Sequence, residues 1–453
     1  GIIGKLAESL GAPEPAIRLL VSLLLNYPLA IIYRKFISKY IPNTSHIYFA
    51  LAGISLYIFN YGMDVWHSVV SIGITYLFIT FLRKMKHLLA INFIFHMSYL
   101  LIGYYFTESG EYDIKWTMPH CVLVLRLIGL VFDVSDGLRD KAKLSNDQKE
   151  TALENVPSFL QVVAFAFFPA SFLVGPQFPF RRYERFTKGE FEKYTGCLKT
   201  GLLRGALGVL YLGIRQIGVM KVPDSYFFTK DFEESTYIHK LVVLAVWGKI
   251  SLYKYISCWL LAEGAAIIFG LTFVRVDENG EEDWSGCSNV KLTLFETATK
   301  LGHYVQSFNV NTNHWVASYV YKRLKFLGNR TISYAAALFF LALWHGFHTG
   351  YYMSFFLEYL IITIEKHAET MFDSLKSKYP RLLEALPTKI IIGVVRVQYT
   401  VVLMGWCLLP FTLLDYERWI HIYSLYKYFG FILLAFLFLF RFVFTTLQKM
   451  KKE

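Results

Sequence analysis

The chain has 453 residues, of which 55% are hydrophobic and only 18% are charged, with a net charge of +12. Soluble domains carry about 25% charged residues, so this composition excludes a soluble protein. It predicts an all-α polytopic membrane protein, because helices satisfy their own backbone hydrogen bonds in lipid. The positive charge does not indicate nucleic acid as a partner. Lysines and arginines lie in short loops between apolar stretches, as the positive-inside rule describes.

Apolar stretches near the ~20 residues that cross a bilayer recur along the chain and predict about eleven or twelve spans. The predicted spans are 16–33, 46–61, 65–82, 88–106, 118–134, 157–174, 200–219, 240–273 (two passes or one long bent helix), 331–345, 350–364, 389–411 and 428–447. Closely spaced or proline-broken stretches such as 157–174 are alternatively re-entrant segments. The spans predict a single transmembrane domain over 1–453.

Four charged residues lie in or beside predicted spans: Arg126, Asp133, Asp136 and Glu263. Charged groups inside a membrane are costly, so they face the protein interior or a water-filled cavity and pair with other groups. Two interpretations remain open at this point. The four residues are paired with one another for structure, or they line a substrate chamber.

Residues 275–330 form a distinct segment, too polar to span a membrane and too aromatic to be disordered. Its aromatic residues predict amphipathic helices at the membrane interface, where aromatic rings favour the headgroup level. The part SFNVNTNHW (307–315) contains three asparagines. An asparagine side chain can donate a hydrogen bond to a developing oxyanion without adding charge. Asn309, Asn311 and Asn313 alternate, so they cannot all point the same way.

The run LFFLALWHGFHTGYY (338–352) places His345 inside an apolar stretch. Intramembrane polar residues mark function by default, and histidine is suited to act as a general base. Gly346 and Gly350 allow a ligand or another backbone to approach closely. His348 lies one helical turn from His345, but no third ligand has matching spacing. The five cysteines are also scattered, so we expect no metal site.

Asn309 and His345, 36 residues apart, resemble the signature of the membrane-bound O-acyltransferase family: an asparagine in an amphipathic segment upstream of a histidine in an apolar stretch. Phe308 and Trp315 fit the family pattern around the asparagine. Many relatives have Trp where this chain has Phe308, and Asn311 is the alternative if the alignment has slipped by two residues.

The motif W-H-G-x-x-x-G-Y, from Trp344 to Tyr351, is similar to that of the lysophospholipid-acylating branch of the family. The resemblance implies a helical bundle of about eleven spans that encloses a reaction chamber. The 275–330 segment would carry the asparagine site and residues 331–364 the histidine site. It implies transfer of a polyunsaturated acyl chain from acyl-CoA to the sn-2 hydroxyl of lysophosphatidylcholine, and also of lysophosphatidylethanolamine and lysophosphatidylserine.

In that reaction His345 is the expected base and Asn309 the oxyanion donor or the residue that orients the imidazole. The residues expected to bind substrate are Trp344, Gly346, Trp315, His348, Lys322 and Arg323. Lys322 and Arg323 are candidates for the phosphates of CoA, because cytosolic basic loops attract polyanions. No cofactor or metal is expected, since acyl-CoA is a co-substrate and its thioester is already activated.

Alternatives within the family are a sterol, diacylglycerol or protein acceptor, and an alternative outside it is a membrane transporter. The W-H-G-x-x-x-G-Y motif disfavours the other acceptors, and no internal repeat supports a transporter. Lys449 and Lys451 match the K-x-K-x-x pattern of a retrieval signal, which predicts the endoplasmic reticulum membrane.

Overall fold

The structure is a computed structural model that describes residues 1–109 and 114–450, with the backbone alone at 447–449. The first eleven helices are α1 (Ile2–Leu10), α2 (Glu14–Ile32), α3 (Ser38–Tyr40), α4 (Ser45–Tyr61), α5 (Val65–Phe81), α6 (Leu88–Thr107), α7 (Thr117–Gly137), α8 (Asn146–Thr151), α9 (Phe159–Ala166), α10 (Phe180–Thr187) and α11 (Cys197–Lys221). The other eleven are α12 (Lys230–Glu234), α13 (Tyr237–Phe269), α14 (Leu292–Glu296), α15 (Leu301–Ser307), α16 (Val310–Val316), α17 (Arg330–His345), α18 (Thr349–Lys378), α19 (Pro380–Leu383), α20 (Leu386–Leu413), α21 (Tyr416–Leu425) and α22 (Phe429–Met450).

Strands are limited to one antiparallel pair in the described ranges, β1 (Arg275–Val276) with β2 (Glu282–Asp283). Short 3-10 and π-helical turns join several helices, among them the π-helical turn Ala317–Tyr321 and the 3-10 helix Lys322–Leu327. The predicted all-α polytopic fold is therefore confirmed.

Eight helical stretches within the described residues are long and apolar enough to cross a membrane. They are Glu14–Tyr40, Pro42–Phe81, Leu88–Thr107, Thr117–Gly137, Cys197–Phe228, Tyr237–Phe269, Leu386–Leu413 and Phe429–Thr446. The second stretch contains both α4 and α5, so these eight stretches account for nine of the twelve predicted spans. The open alternative at 240–273 resolves to one helix, α13, of 33 residues.

The other three predicted spans are shorter or more polar. Residues 157–174 contain only the eight-residue helix α9. Helix α17 has 16 residues, about 24 Å at ~1.5 Å per residue, which is less than the ~30 Å hydrocarbon core. Helix α18 has 30 residues but mixes apolar side chains with charged ones such as Glu358 and Lys366. His345 thus ends a helix too short to cross the bilayer.

The chain divides into two compact units. Unit 1 comprises Gly1–Leu212, Tyr255–Val290 and Asn309–Ser333, and unit 2 comprises Gly213–Lys254, Lys291–Phe308 and Tyr334–Glu453. The units are interleaved along the chain, so the 275–330 segment contributes to both of them. Asn309 belongs to unit 1 and His345 to unit 2.

The core of unit 1 is rich in aromatic rings. The Phe49 ring of α4 lies 4.9 Å from the Phe168 ring, and both side chains are completely buried. The close approach of α4 to the end of α9 depends on Gly53, where a Cβ would lie 1.7 Å from the Phe167 carbonyl oxygen. Small residues at helix contacts let backbones pack closely where lipid offers no hydrophobic driving force.

Unit 2 is built around a pair of helices, α18 and α20, that contact each other along much of their length. The C-terminal part of α20 carries Trp406, whose ring stacks 4.0 Å from that of Tyr423 in α21. The Tyr423 hydroxyl donates to the Trp406 carbonyl oxygen at 2.7 Å. This packing joins the C-terminal part of α20 to α21.

Several aromatic residues of the 275–330 segment are buried in protein. Phe295, Tyr304, Trp315 and Tyr319 are each less than 10% exposed, whereas Phe326 is 81% exposed. The interfacial position of this segment stays a prediction. The predicted retrieval signal at Lys449 and Lys451 lies outside the residues whose side chains the structure describes.

Candidate active site

In unit 1, Asn309 precedes α16 and adopts the left-handed backbone conformation, with a φ of 53°. Asparagine tolerates this conformation better than most non-glycine residues. Its Oδ1 accepts a hydrogen bond from Asn289 Nδ2 at 3.4 Å. The Asn289 carbonyl oxygen also accepts from the Val310 amide at 3.0 Å. Asn289 is buried and holds the turn, and the sequence analysis missed it because nothing in its local pattern marks it.

Asn311, the alternative to Asn309, has different hydrogen bonds. Its Nδ2 donates to the Cys287 carbonyl oxygen at 2.9 Å, and its backbone amide donates to Asn289 Oδ1 at 3.0 Å. The side-chain donor of Asn311 is therefore engaged within the protein. The side-chain bond that the structure describes for Asn309 uses its acceptor oxygen.

Trp315 is held against α7 in unit 1. Its indole Nε1 donates to the Leu125 carbonyl oxygen at 2.9 Å, and its ring lies 5.2 Å from that of Tyr319. Gly129 of α7 makes room for the indole, because a Cβ there would lie 3.2 Å from the Trp315 Nε1 atom.

A cavity of about 800 Å³ opens in unit 1, and Asn311, His314 and Trp315 form part of its wall. Its lining contains nine basic and three acidic side chains. The basic residues are Arg126, Lys143, Lys149, Arg181, Arg182, Arg185, Lys322, Arg323 and Lys325, and the acidic residues are Asp133, Asp147 and Glu150. The excess of positive charge favours an anionic occupant.

Lys322 and Arg323, the predicted phosphate ligands, line this cavity but already have carboxylate partners. Arg323 donates to both oxygens of the buried Asp136, at 2.9 and 2.5 Å. Lys322 pairs with Asp147, and this hydrogen bond holds the pKa of the Asp147 carboxyl below its ordinary value. A bidentate Arg–carboxylate pair is strong and geometrically specific, so Arg323 stabilises the fold whatever else it contacts.

The four charged residues of the predicted spans are not paired with one another. Asp136 binds Arg323, Glu263 binds Arg204 at 3.1 Å, and Asp133 accepts from the Tyr319 hydroxyl at 2.7 Å. The guanidinium of Arg126 donates to the carbonyl oxygens of Phe165, Ala166, Ser171 and Pro176. Arg126 and Asp133 line the cavity, and Asp136 and Glu263 are not among its lining residues.

In unit 2, His345 is the last residue of α17 and its Nδ1 lies 2.7 Å from the Leu341 carbonyl oxygen. A carbonyl oxygen only accepts, so Nδ1 carries a proton, and in the neutral imidazole Nε2 then keeps its lone pair. Aromatic rings surround the imidazole, with Phe411 at 5.1 Å and Tyr351 and Phe355 at 5.5 Å. The arrangement presents a neutral imidazole with a fixed orientation and a basic nitrogen.

The two glycines of the motif have separate roles. Gly346 follows the last residue of α17 and has a φ of 134°, a conformation that favours glycine. Gly350 lies where α18 meets α20: its amide donates to the Leu414 carbonyl oxygen at 2.9 Å. Trp344 is 8% exposed and packs inside unit 2. The predicted close approach of backbone is therefore present at Gly350.

His348 forms a pair that the sequence analysis missed. Its Nδ1 lies 3.1 Å from Oδ1 of Asp415, at the start of α21. The two residues are 67 positions apart, which explains why no local motif predicts their contact. The imidazole rings of His345 and His348 both contact the ring of Tyr351, with centroid-to-centroid distances of 5.5 and 5.8 Å.

We expect Gly350→Ala to destabilise the protein, because the new Cβ would lie 1.8 Å from the Pro410 carbonyl oxygen. Forcing α18 and α20 apart costs about 3 kcal/mol, the upper end for overpacking, and a lower Tm in a thermal unfolding assay would report it. The matched control is Gly393→Ala in α20, where no atom lies within 4 Å of the new Cβ. Equal Tm values for Gly350→Ala and the wild type would contradict the packing argument.

Comparison of the sequence with known proteins identifies its family. The family model described as MBOAT, membrane-bound O-acyltransferase family, matches residues 101–404. Three similar proteins are each called lysophospholipid acyltransferase 5. The one from Drosophila melanogaster is 51% identical over 96% of this chain and 88% of its own length. The one from Rattus norvegicus is 38% identical over 100% of this chain and 94% of its own length.

The protein of that name from Homo sapiens is 38% identical over 94% of this chain and 88% of its own length. This chain belongs to the membrane-bound O-acyltransferase family. The resemblance that the Asn309 and His345 motifs indicated is thereby confirmed, including its lysophospholipid-acylating branch.

Proposed function

We propose that this multi-pass membrane acyltransferase esterifies the sn-2 hydroxyl of lysophospholipids with an acyl chain from acyl-CoA. Lysophosphatidylcholine is the expected first acceptor, followed by lysophosphatidylethanolamine and lysophosphatidylserine, with polyunsaturated chains preferred. Membership of the family and the names of the relatives support acylation of a lysophospholipid. The observation that carries the mechanism is the hydrogen bond from His345 to the Leu341 carbonyl oxygen.

The reaction needs a base, because a hydroxyl is a poor nucleophile until its proton is removed as it attacks. On our proposal, His345 Nε2 takes that proton while the hydroxyl oxygen attacks the thioester carbonyl. A new C–O bond forms, the C–S bond breaks, and the CoA thiolate leaves with the proton returned by His345. The bond from Nδ1 to Leu341 supports this role, since it holds the tautomer in which Nε2 is basic.

Asn309 is proposed to donate a hydrogen bond to the carbonyl oxygen as negative charge develops on it. A neutral donor aimed at an oxyanion in a low-dielectric site contributes several kcal/mol. Two observations support Asn309 over Asn311. The Asn311 donor is engaged by the Cys287 carbonyl oxygen, and the turn at Asn309 is held by the buried Asn289.

The cavity of unit 1 supports acyl-CoA as the donor, because the phosphates of CoA are anionic and the lining is basic. Because Lys322 and Arg323 are already paired with carboxylates, other basic side chains of the lining are better placed to bind the phosphates. Lys143, Lys149 and Lys325 line the cavity and have no hydrogen-bonded carboxylate among the residues that the structure describes. We propose that these three lysines attract the CoA phosphates.

We expect the double variant Lys149→Glu/Lys325→Glu to raise KM for acyl-CoA about tenfold at low ionic strength, because reversed charges repel the polyanion. KM for the lysophospholipid and kcat should stay within about twofold of the wild type, and the effect should shrink with added salt. Lys86→Glu, an exposed residue outside the cavity lining, is the control for charge reversal alone. An unchanged KM for acyl-CoA would refute the assignment of the cavity.

The proposed function is tested by supplying radiolabelled acyl-CoA to the purified protein in detergent or nanodiscs. The acceptors are lysophosphatidylcholine, lysophosphatidylethanolamine, lysophosphatidylserine, cholesterol, diacylglycerol and a peptide. Acylation of the three lysophospholipids, and of none of the others, is the expected result. Acylation of a sterol, diacylglycerol or peptide instead would overturn the acceptor assignment. We also propose that the protein resides in the membrane of the endoplasmic reticulum. Imaging of a tagged protein beside a marker of that organelle would test this location.

A further inference from the structure

Unit 2 contains a buried carboxylate that the mechanism does not use. Glu365 of α18 is 8% exposed, and its two oxygens accept hydrogen bonds from two successive backbone amides at the start of α15. Oε1 lies 2.6 Å from the Leu301 nitrogen, and Oε2 lies 3.1 Å from the Gly302 nitrogen. Hydrogen bonds to an ionised carboxylate are about twice as strong as neutral ones, so Glu365 ties α15 firmly to α18.

Helix α15 leads directly to the proposed oxyanion donor. It ends at Ser307, and only Phe308 separates that residue from Asn309. The Ser307 carbonyl oxygen accepts from the Lys291 amide at 2.9 Å, and the Phe308 amide donates to the Tyr304 carbonyl oxygen at 2.9 Å. The end of α15 is thus held by two backbone hydrogen bonds, and the chain continues from it through Phe308 to Asn309.

The helix that carries Glu365 begins close to the proposed base. Helix α18, which carries Glu365, begins at Thr349, four residues after His345. Within unit 2, α18 therefore follows His345 closely in sequence and also holds the beginning of α15 through Glu365. A second contact, between Lys300 and Glu369 at 2.6 Å, joins the same two helices but is partly exposed to solvent.

We propose that Glu365 is a positioning residue for Asn309, acting through α15. This inference rests on the proposed function, in which Asn309 is the oxyanion donor. Glu365 makes no contact with substrate in this assignment. Its role is to set the position of the Asn309 carboxamide.

The test is Glu365→Gln, which keeps the size of the side chain but replaces one acceptor oxygen by an NH₂ group that faces a backbone amide. We expect kcat to fall about tenfold with KM for both substrates unchanged, because small misplacements of a catalytic group cost up to about 100-fold. Glu369→Gln, which breaks the exposed pair one turn along the same helix, is the control and should stay within about twofold of the wild type.

A double-mutant cycle with Asn309→Gly separates positioning from general damage, since residues that act through one another have non-additive effects. In the Asn309→Gly background, Glu365→Gln should leave the residual kcat unchanged. The same fold loss in both backgrounds, or no loss in the single variant, would overturn the proposal. Hydrogen exchange gives a readout independent of turnover: Glu365→Gln should speed amide exchange over residues 301–309, and unchanged exchange there would also overturn it.

These outcomes are distinguishable from failure of the proposed function. A wild-type protein that acylates no lysophospholipid would refute that function, whereas the exchange measurement would still decide whether Glu365 holds the segment. Retained turnover in Asn309→Gly would refute the role of Asn309 and, with it, the positioning role of Glu365.

Discussion

His345→Ala should reduce kcat about 1,000-fold while leaving the protein folded. General base catalysis contributes typically 10²–10⁴-fold. The hydrogen bond to the Leu341 carbonyl oxygen orients the His345 imidazole for this role. The measurement is turnover of acyl-CoA with lysophosphatidylcholine, with folding checked by size-exclusion chromatography and circular dichroism. KM values should change little, because the imidazole acts on the proton of the bound acceptor rather than on its affinity.

The control is His367→Ala, which removes an imidazole from α18 in the same unit without touching the ring cluster around His345. We expect its kcat to remain within about twofold of the wild type, as surface substitutions usually have small effects. Near-normal turnover in a well-folded His345→Ala variant would rule out the proposed mechanism. A variant that elutes as aggregate would instead be replaced by His345→Gln, which keeps more of the side-chain volume.

The second large effect is expected at Asn309, where loss of the carboxamide should lower kcat about 100-fold. Removal of one oxyanion donor costs about 10²–10³-fold in other acyl-transfer enzymes. The backbone φ of 53° at this position makes alanine a poor choice, because its Cβ strains the left-handed conformation. Asn309→Gly removes the side chain and relieves that strain, so its kcat reports loss of the carboxamide without the backbone strain that alanine would add.

Asn311→Ala is the comparison that decides between the two asparagines. It removes the hydrogen bond to the Cys287 carbonyl oxygen, so we expect a lower Tm with kcat within a few-fold of the wild type. A buried acceptor left without its donor costs about 1–3 kcal/mol. The reverse pattern, with Asn311→Ala inactive and Asn309→Gly active, would show that the catalytic residue is Asn311.

Several features of this protein could be predicted from sequence because they depend on local composition. The apolar stretches predicted nine spans that lie in helices long enough to cross a membrane. His345 stood out because an imidazole in an apolar stretch is costly. Its spacing from Asn309 indicated the family, and the family model and the relatives confirmed it.

The sequence was a poorer guide to short apolar segments and to segments that mix aromatic and polar residues. Residues 331–345 were predicted to span a membrane, but α17 has only 16 residues. The aromatic content of 275–330 did not indicate which rings pack inside the protein: Phe295 and Tyr304 are buried, and Phe326 is exposed. Hydropathy describes how apolar a segment is, and it cannot distinguish burial in lipid from burial in protein.

The sequence by itself determined the class of protein and most of its helices, and it predicted His345 and Asn309, with Asn311 as the alternative, as the candidate catalytic residues. Only the tertiary structure decided their surroundings: the proton position on His345, the turn held by Asn289, and the anchoring of α15 by Glu365. These contacts join residues separated by between four and 64 positions. A local pattern does not encode which distant backbone amide or carbonyl lies within hydrogen-bonding distance, because that depends on how the helices pack.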